Sequence, residues 1–179
     1  MPIEPDTKDW TWVLGRPCPE CGFEAGALAL ADVGATLRDN AARWQAVLTR
    51  PVGALATRPS DDRWSDLEYA CHVRDVFRLY DERLVLMLTE DDPVFPNWDQ
   101  DASAVEDRYG EQDPAVVAAD LAAAAATIAD RFDGVAGDAW DRTGTRSDGA
   151  RFTVASFARY LVHDPVHHLV DVGGAPGGG

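Results

Sequence analysis

The sequence has little of what several large classes of protein require. It holds 16 lysines and arginines against 31 aspartates and glutamates, a net charge of −15, and the basic residues form no stripe. Nucleic acids and anionic membrane surfaces are therefore disfavoured as partners, because both are bound through clustered positive charge. No apolar run approaches the roughly 20 residues of a membrane-spanning helix, so we expect no membrane segment.

Cysteine and histidine are also scarce. Three cysteines are too few, and odd in number, for a disulfide framework. The first residues have neither the basic nor the apolar region of a secretory signal. Together these features predict a protein of the reducing cytoplasm. The four histidines are of interest because three of them fall within six residues near the end of the chain.

The 179 residues suit one domain with its own core. Apolar residues recur at steps of three and four, which is typical of amphipathic helices, and Ser, Asp and Thr residues suited to capping precede most of these segments. The predicted helices cover about 25–49, 65–89, 114–132 and 154–172. The stretch between the last two helices contains enough glycine to be irregular or a short hairpin.

The sequence thus predicts an all-α fold, a four-helix bundle with an N-terminal arm. The arm covers residues 1–23 and is expected to pack on the bundle through its tryptophans. The bundle covers residues 24–174, and residues 175–179 form a flexible tail. Pro165 interrupts the last helix pattern, and it predicts either a continuous kinked helix, which we favour, or a new short helix that begins at Asp164.

Histidine spacing suggests a metal site. His163 and His167 are four residues apart, which places both imidazoles on one helix face. His72 lies in the middle of the second helix on its apolar face, which a bundle can bring against the last helix. The three side chains would leave a vacant position for water or substrate, as in catalytic zinc sites. His168 points about a third of a turn away and is interpreted as a surface or supporting residue.

Four carboxylates accompany these histidines. Asp171 and Asp75 lie one turn from His167 and His72, and each either fixes the tautomer of its imidazole or is a plain surface charge. Asp164 and Glu68 are the candidates for a general base, if the reaction is a hydrolysis.

The arm contains Cys18-Pro-Glu-Cys21-Gly22, which has the form of half a zinc-binding site. A second pair of cysteines is missing, since only Cys71 remains. Three interpretations stay open: a reduced turn without ligand, a redox disulfide, or a metal site completed by another group or chain.

Two motifs resemble the DinB/YfiT-like superfamily. One is WSDLEYACHVRDVF (64–77), with its histidine in mid-helix, and the other is HDPVHH (163–168). The resemblance covers about 25–173 and implies a four-helix bundle with a divalent metal on His72, His163 and His167. The stretch WTWVLGRPCPECGF (10–23) is similar to the start of an actinobacterial subgroup.

The resemblance also implies an activity. Relatives include mycothiol-dependent maleylpyruvate isomerase and bacillithiol transferases, so we expect transfer of a low-molecular-weight thiol, mycothiol, to a small electrophile, or its isomerisation. Zinc is the expected metal, with nickel, iron and copper as alternatives. Arg83 and Arg159 are candidate catalytic residues that would pair with a substrate carboxylate. A metal-dependent hydrolase and a non-catalytic metal-binding or dimerisation module are the alternatives, and a homodimer is compatible with either.

Overall fold

A computed structural model describes residues 9–174 and is mainly helical. Four long helices form the bundle, with two short helices in the connections: α1 (Val33–Leu48), α2 (Val52–Ala56), α3 (Asp66–Thr89), α4 (Gln100–Glu106), α5 (Pro114–Asp133) and α6 (Val154–Asp171). Both α5 and α6 pack against α1 and α3. The predicted four-helix bundle is therefore confirmed, whereas the predictions for residues 1–8 and for the tail at 175–179 lie outside the described residues.

Local capping sets where three of the long helices begin. The Ser65 side chain accepts the Glu68 amide N–H at 3.2 Å, and the Glu68 carboxylate accepts the Ser65 amide N–H at 2.8 Å, as the sequence predicts. Asp113 caps α5, whose first residue is proline. Thr153 caps α6. Each cap satisfies a backbone N–H that has no partner within its helix.

The first long helix begins eight residues later than predicted. Residues 25–32 form two short 3-10 turns instead, with Leu28 between them in an extended conformation. The carbonyl oxygen of Leu28 accepts hydrogen bonds from the Arg159 guanidinium at 3.2–3.3 Å. This segment is thus tied to α6 rather than continued as helix, a long-range contact that periodicity does not reveal.

A small sheet closes one end of the bundle. Its strands are β1 (Val94–Phe95), β2 (Thr143–Arg146) and β3 (Arg151–Thr153). The antiparallel pair of β2 and β3 confirms the short-hairpin alternative, and β1 adds to β2 in parallel. A Cβ on Gly144 would lie only 2.8 Å from Cγ of Met87, so glycine is required for the sheet to approach α3.

The core fills the space between the four long helices. Its largest fully buried side chains are Trp44, Phe77, Phe95, Tyr109, Phe132 and Phe157. Within residues 9–174, no helix is both long and apolar enough to cross a membrane. Helix α6 runs without interruption through Pro165, as favoured from the sequence, so the residues from His163 to His168 project from a single helix.

Candidate metal centres

Helix α6 carries two neighbouring stripes of side chains that are suited to metal binding. His163 and His167 form one stripe, and Asp164 and His168 form the other. Each pair is separated by four residues and therefore shares a face, whereas the two stripes lie about 100° apart around the helix. Over the same turns of α6, the two stripes can therefore contact two different parts of the protein.

The first stripe meets the arm. One ligand atom from each of Cys18, Cys21, His163 and His167 lies within 4.8 Å of all the others. The sulfur of Cys18 is 3.7 Å from Nδ1 of His167. His167 is the most exposed of the four, at 9 %, so this group, called here the Cys–His cluster, is nearly shut off from solvent.

A tight turn presents the two cysteines. The Cys18 amide N–H donates to the Phe23 carbonyl at 2.8 Å, and the Gly22 N–H donates to the Cys18 carbonyl at 2.8 Å. Gly22 has a φ of +74°, which favours glycine. Burial raises the pKa of the Cys21 thiol to about 12, although a hydrogen bond from the Phe23 backbone acts in the opposite direction.

Aromatic rings of the arm cover the Cys–His cluster. The Trp10 ring lies 5.5 Å from the His163 ring and 5.2 Å from the His167 ring, and the Phe23 ring lies 5.8 Å from His163. Burial lowers the pKa of His163 to about 4, so its imidazole is neutral at pH 7 with a nitrogen lone pair. The predicted packing of the arm on the bundle is thus confirmed for residues 9–23.

The second stripe meets α3. Ligand atoms of His72, Asp164 and His168 lie within 4.8 Å of one another, and Nε2 of His72 is 3.2 Å from Oδ1 of Asp164. Burial alone would raise the pKa of Asp164, but the attraction of His72 and His168 outweighs it and holds that pKa well below its ordinary value. This group, called here the His–Asp cluster, therefore carries an ionised carboxylate.

Aromatic side chains and a carboxylate hold the imidazoles of the His–Asp cluster in place. The Trp98 ring stacks on His72 with the ring centroids 5.3 Å apart and the planes at 7°, and the Trp64 ring lies 5.3 Å from His72, tilted by 51°. Asp171 is 2.8 Å from Nδ1 of His168. That hydrogen bond fixes the tautomer and leaves Nε2 of His168 with a lone pair for a metal.

Tyrosines continue the second stripe into the bundle. Tyr160 lies one turn before Asp164 on α6, its ring is 6.3 Å from that of Tyr80, and its hydroxyl accepts from Arg146 at 3.3 Å. Burial raises the pKa of both tyrosines, and the charge of Asp164 adds to this. Both phenols are therefore protonated at neutral pH and can donate hydrogen bonds. The sequence pattern singled out neither of them.

The structure divides the predicted three-histidine set. Within residues 9–174, His163 and His167 group with the two arm cysteines, and His72 groups with Asp164 and His168. The physical reason is that the arm occupies the face of α6 that we expected to meet α3. His168, interpreted as a surface or supporting residue, lies within the His–Asp cluster, and its spacing of four from Asp164 was the signal that could have found it.

Other predicted site residues have different partners. Asp75 accepts hydrogen bonds from Tyr109 and Arg74, and Glu68 binds Ser65 and pairs with Arg58. The two arginine candidates both donate to main-chain carbonyls, Arg83 to Pro96 and Arg159 to Leu28. These bonds support structural roles for all four residues.

The residues present fit metal binding at both clusters. Within the described part of the chain, Nε2 of His163 is buried without a hydrogen-bonding partner, and Oδ1 of Asp164 is buried without a hydrogen bond and is approached at 3.2 Å by Nε2 of His72 in an ion pair. Such buried polar atoms are rare unless something satisfies them. Two sulfurs with two nitrogens suit zinc, and two nitrogens with one carboxylate suit zinc or ferrous iron.

Comparison with known proteins gives two matches. The family model of the DinB superfamily matches residues 36–171, well over half of the chain. The structure is similar to that of YfiT from Bacillus subtilis, described as a probable metal-dependent hydrolase with an unusual four-helix bundle topology. The TM-score is 0.72 at 18% identity, over 80% of this chain and 85% of YfiT. No curated protein matches the sequence.

Proposed function

Because the chain belongs to the DinB superfamily, we propose that it is a metal-dependent enzyme whose reaction centre is the His–Asp cluster. The observation that carries this proposal is the convergence of His72, Asp164 and His168 within 4.8 Å. Three protein ligands leave a position for a small molecule, which is the pattern of catalytic rather than structural metal sites. Zinc or iron fits this donor set best.

The surrounding residues prepare the site for an anionic nucleophile. A bound divalent metal would supply Lewis acidity, which lowers the pKa of a thiol or a water molecule. Asp171 orients His168, and the stacked ring of Trp98 holds His72 and excludes water on that side. Tyr160, one turn of α6 before Asp164, and Tyr80, whose ring stacks on it, would donate hydrogen bonds to an oxygen of a substrate that extends along the second stripe.

Thiol transfer is the reaction that we propose. A hydrolase needs, besides a metal-activated water, a group that carries a proton to the leaving group, and the nearby carboxylates are otherwise engaged. Glu68 is held by Arg58 and Ser65, and Asp171 is held by His168. A metal-activated thiol needs no separate base, because it loses its proton on binding. Mycothiol is the proposed thiol, by the resemblance to mycothiol-dependent enzymes, and a cytoplasmic location and a homodimer are part of the same proposal.

Hydrolysis is the second candidate, since YfiT is described as a probable metal-dependent hydrolase. The test offers metal-loaded protein a panel of thiols, mycothiol included, with a chloro-nitroarene or an epoxide, and in parallel a panel of esters and amides. We expect conjugation above the uncatalysed rate in the wild type. His72→Ala and Asp164→Asn should each reduce that rate at least about 100-fold, because losing a ligand should cost no less than losing a contact that supports a ligand.

The matched control is Asp130→Asn, which changes an exposed carboxylate outside both clusters and should keep full activity. A second readout follows the visible spectrum of cobalt-substituted protein as thiols are added. If no thiol perturbs that spectrum at millimolar concentration, thiol transfer is refuted. Ester or amide cleavage that needs His72 would then establish hydrolysis, and its absence would favour a non-catalytic role.

A further inference from the structure

We propose that Cys18, Cys21, His163 and His167 bind one structural zinc ion that fastens the N-terminal arm to α6. This site is separate from the proposed reaction centre and does not depend on which reaction occurs there. In this site His163 and His167 would complete the half-site that Cys18 and Cys21 form in the sequence.

The distances suit tetrahedral zinc. With Zn–S bonds of ~2.3 Å and Zn–N bonds of ~2.0–2.1 Å, the ligand atoms of a tetrahedron are about 3.3–3.8 Å apart. Cys18 Sγ and His167 Nδ1 are separated by 3.7 Å, and all four ligand atoms fall within 4.8 Å. Four protein ligands leave no open position, which is the pattern of structural zinc sites.

Charge balance also favours zinc at this place. Two thiolates and one divalent cation sum to zero, and the two imidazoles are neutral. Burying the filled cluster beneath Trp10 and Phe23 therefore places no net charge in the interior, where an unpaired charge would be costly. Glu20 lies 3.6 Å from Nε2 of His167, on the opposite side of the ring from Cys18, where a carboxylate orients a ligand imidazole.

The arm needs such a fastening. Between residues 9 and 23 it forms only one 3-10 turn and a tight loop, and elements that short are not stable alone. A zinc ion would join the loop at 18–21 to a helix that lies about 145 residues further along the chain. Zinc binding would thereby order the segment that covers His163 and His167.

Cobalt substitution of the full-length protein tests the proposal directly. We expect a sulfur-to-cobalt charge-transfer band in the near ultraviolet, with ligand-field bands typical of tetrahedral cobalt. Cys18→Ser and Cys21→Ser should each abolish the charge-transfer band. Cys71→Ser is the matched control, because Cys71 is buried but contacts the Tyr109 carbonyl instead, and it should keep the band. His72→Ala should also keep it, which separates this proposal from the proposed function.

A second measurement uses the unaltered protein, in case a serine variant fails to fold. Cysteines are alkylated in mild urea with and without a chelator and are located by mass spectrometry. We expect Cys18 and Cys21 to be protected in urea alone and to react once the chelator is added. Absence of the charge-transfer band, a disulfide between Cys18 and Cys21, or equal alkylation with and without chelator would each overturn the proposal.

Discussion

Asp75→Asn should destabilise the fold strongly without weakening metal binding. Asp75 lies one turn after His72 on α3, and its sequence position suggested a hydrogen bond to that imidazole. In the structure it accepts the Tyr109 hydroxyl at 2.6 Å and two guanidinium nitrogens of Arg74 at 2.8 Å. Its role is therefore to join α3 to the segment before α5.

The size of the effect follows from burial. Breaking a buried ion pair costs about 3–5 kcal/mol, because the partner charge stays behind without compensation. The Arg74 side chain is only 7% exposed, but that of Asp75 is 20% exposed, and Arg74 keeps a hydrogen bond to Gln112. We therefore expect the low end, about 3 kcal/mol, which corresponds to a loss of ~6–12 °C in Tm at ~2–4 °C per kcal/mol.

The pH dependence gives an independent check. Burial raises the pKa of Asp75, but hydrogen bonds from Arg74 and Tyr109 outweigh it and leave that pKa below its ordinary value. A carboxyl with a lowered folded-state pKa stabilises the fold above its unfolded pKa, near 3.9, and loses that contribution as the pH falls. The difference in unfolding free energy between wild type and variant should be constant from pH 6 to 8 and shrink below about pH 4.

Urea denaturation across pH measures the stability, and metal titration measures the affinity. Asp120→Asn is the control, since its pair with Arg78 is about half exposed and should contribute at most ~1 kcal/mol. A destabilisation under 1 kcal/mol would refute the buried-network account. Loss of a hydrogen bond that supports a metal ligand lowers metal affinity about 10–100-fold. If the variant showed that loss with unchanged stability, Asp75 would instead support the imidazole of His72.

Two further changes test the frame around the clusters. Gly144→Ala should cost about 1–3 kcal/mol in urea denaturation, because the new methyl would overlap Met87 and Phe95, which are buried and cannot easily move. Thr153→Ala should cost about 1 kcal/mol by removing the cap of α6. Unchanged stability in Gly144→Ala would mean that the sheet does not pack as closely against α3 as described. Unchanged stability in Thr153→Ala would mean that the cap of α6 does not contribute to stability.

Features set by neighbouring residues were predictable from the sequence. The start of α3 follows from Ser65 and Glu68, and that of α5 follows from Asp113 and Pro114, since each cap involves residues two or three positions apart. The continuity of α6 through Pro165 was predicted in the same way, from the helical pattern that precedes it.

Features set by distant contacts were not predictable. Both stripes of α6 are visible in HDPVHH, but which partner each stripe meets depends on the arm, whose Cys18 is 149 residues from His167. The delayed start of α1 has the same origin, because Leu28 binds Arg159 from 131 residues away. Sequence spacing therefore predicted histidines as metal ligands but could not assign them to two separate clusters.

Titration of metal-free protein with cobalt, followed by its absorption spectrum, tests the two-cluster account most directly. The account predicts two binding steps in the wild type, of which one shows sulfur-to-cobalt charge transfer. His72→Ala should remove only the step without that band, and Cys18→Ser should remove only the step with it. A single step without the band, lost in both His72→Ala and His163→Ala and unaffected by Cys18→Ser, would contradict the account and establish one three-histidine site.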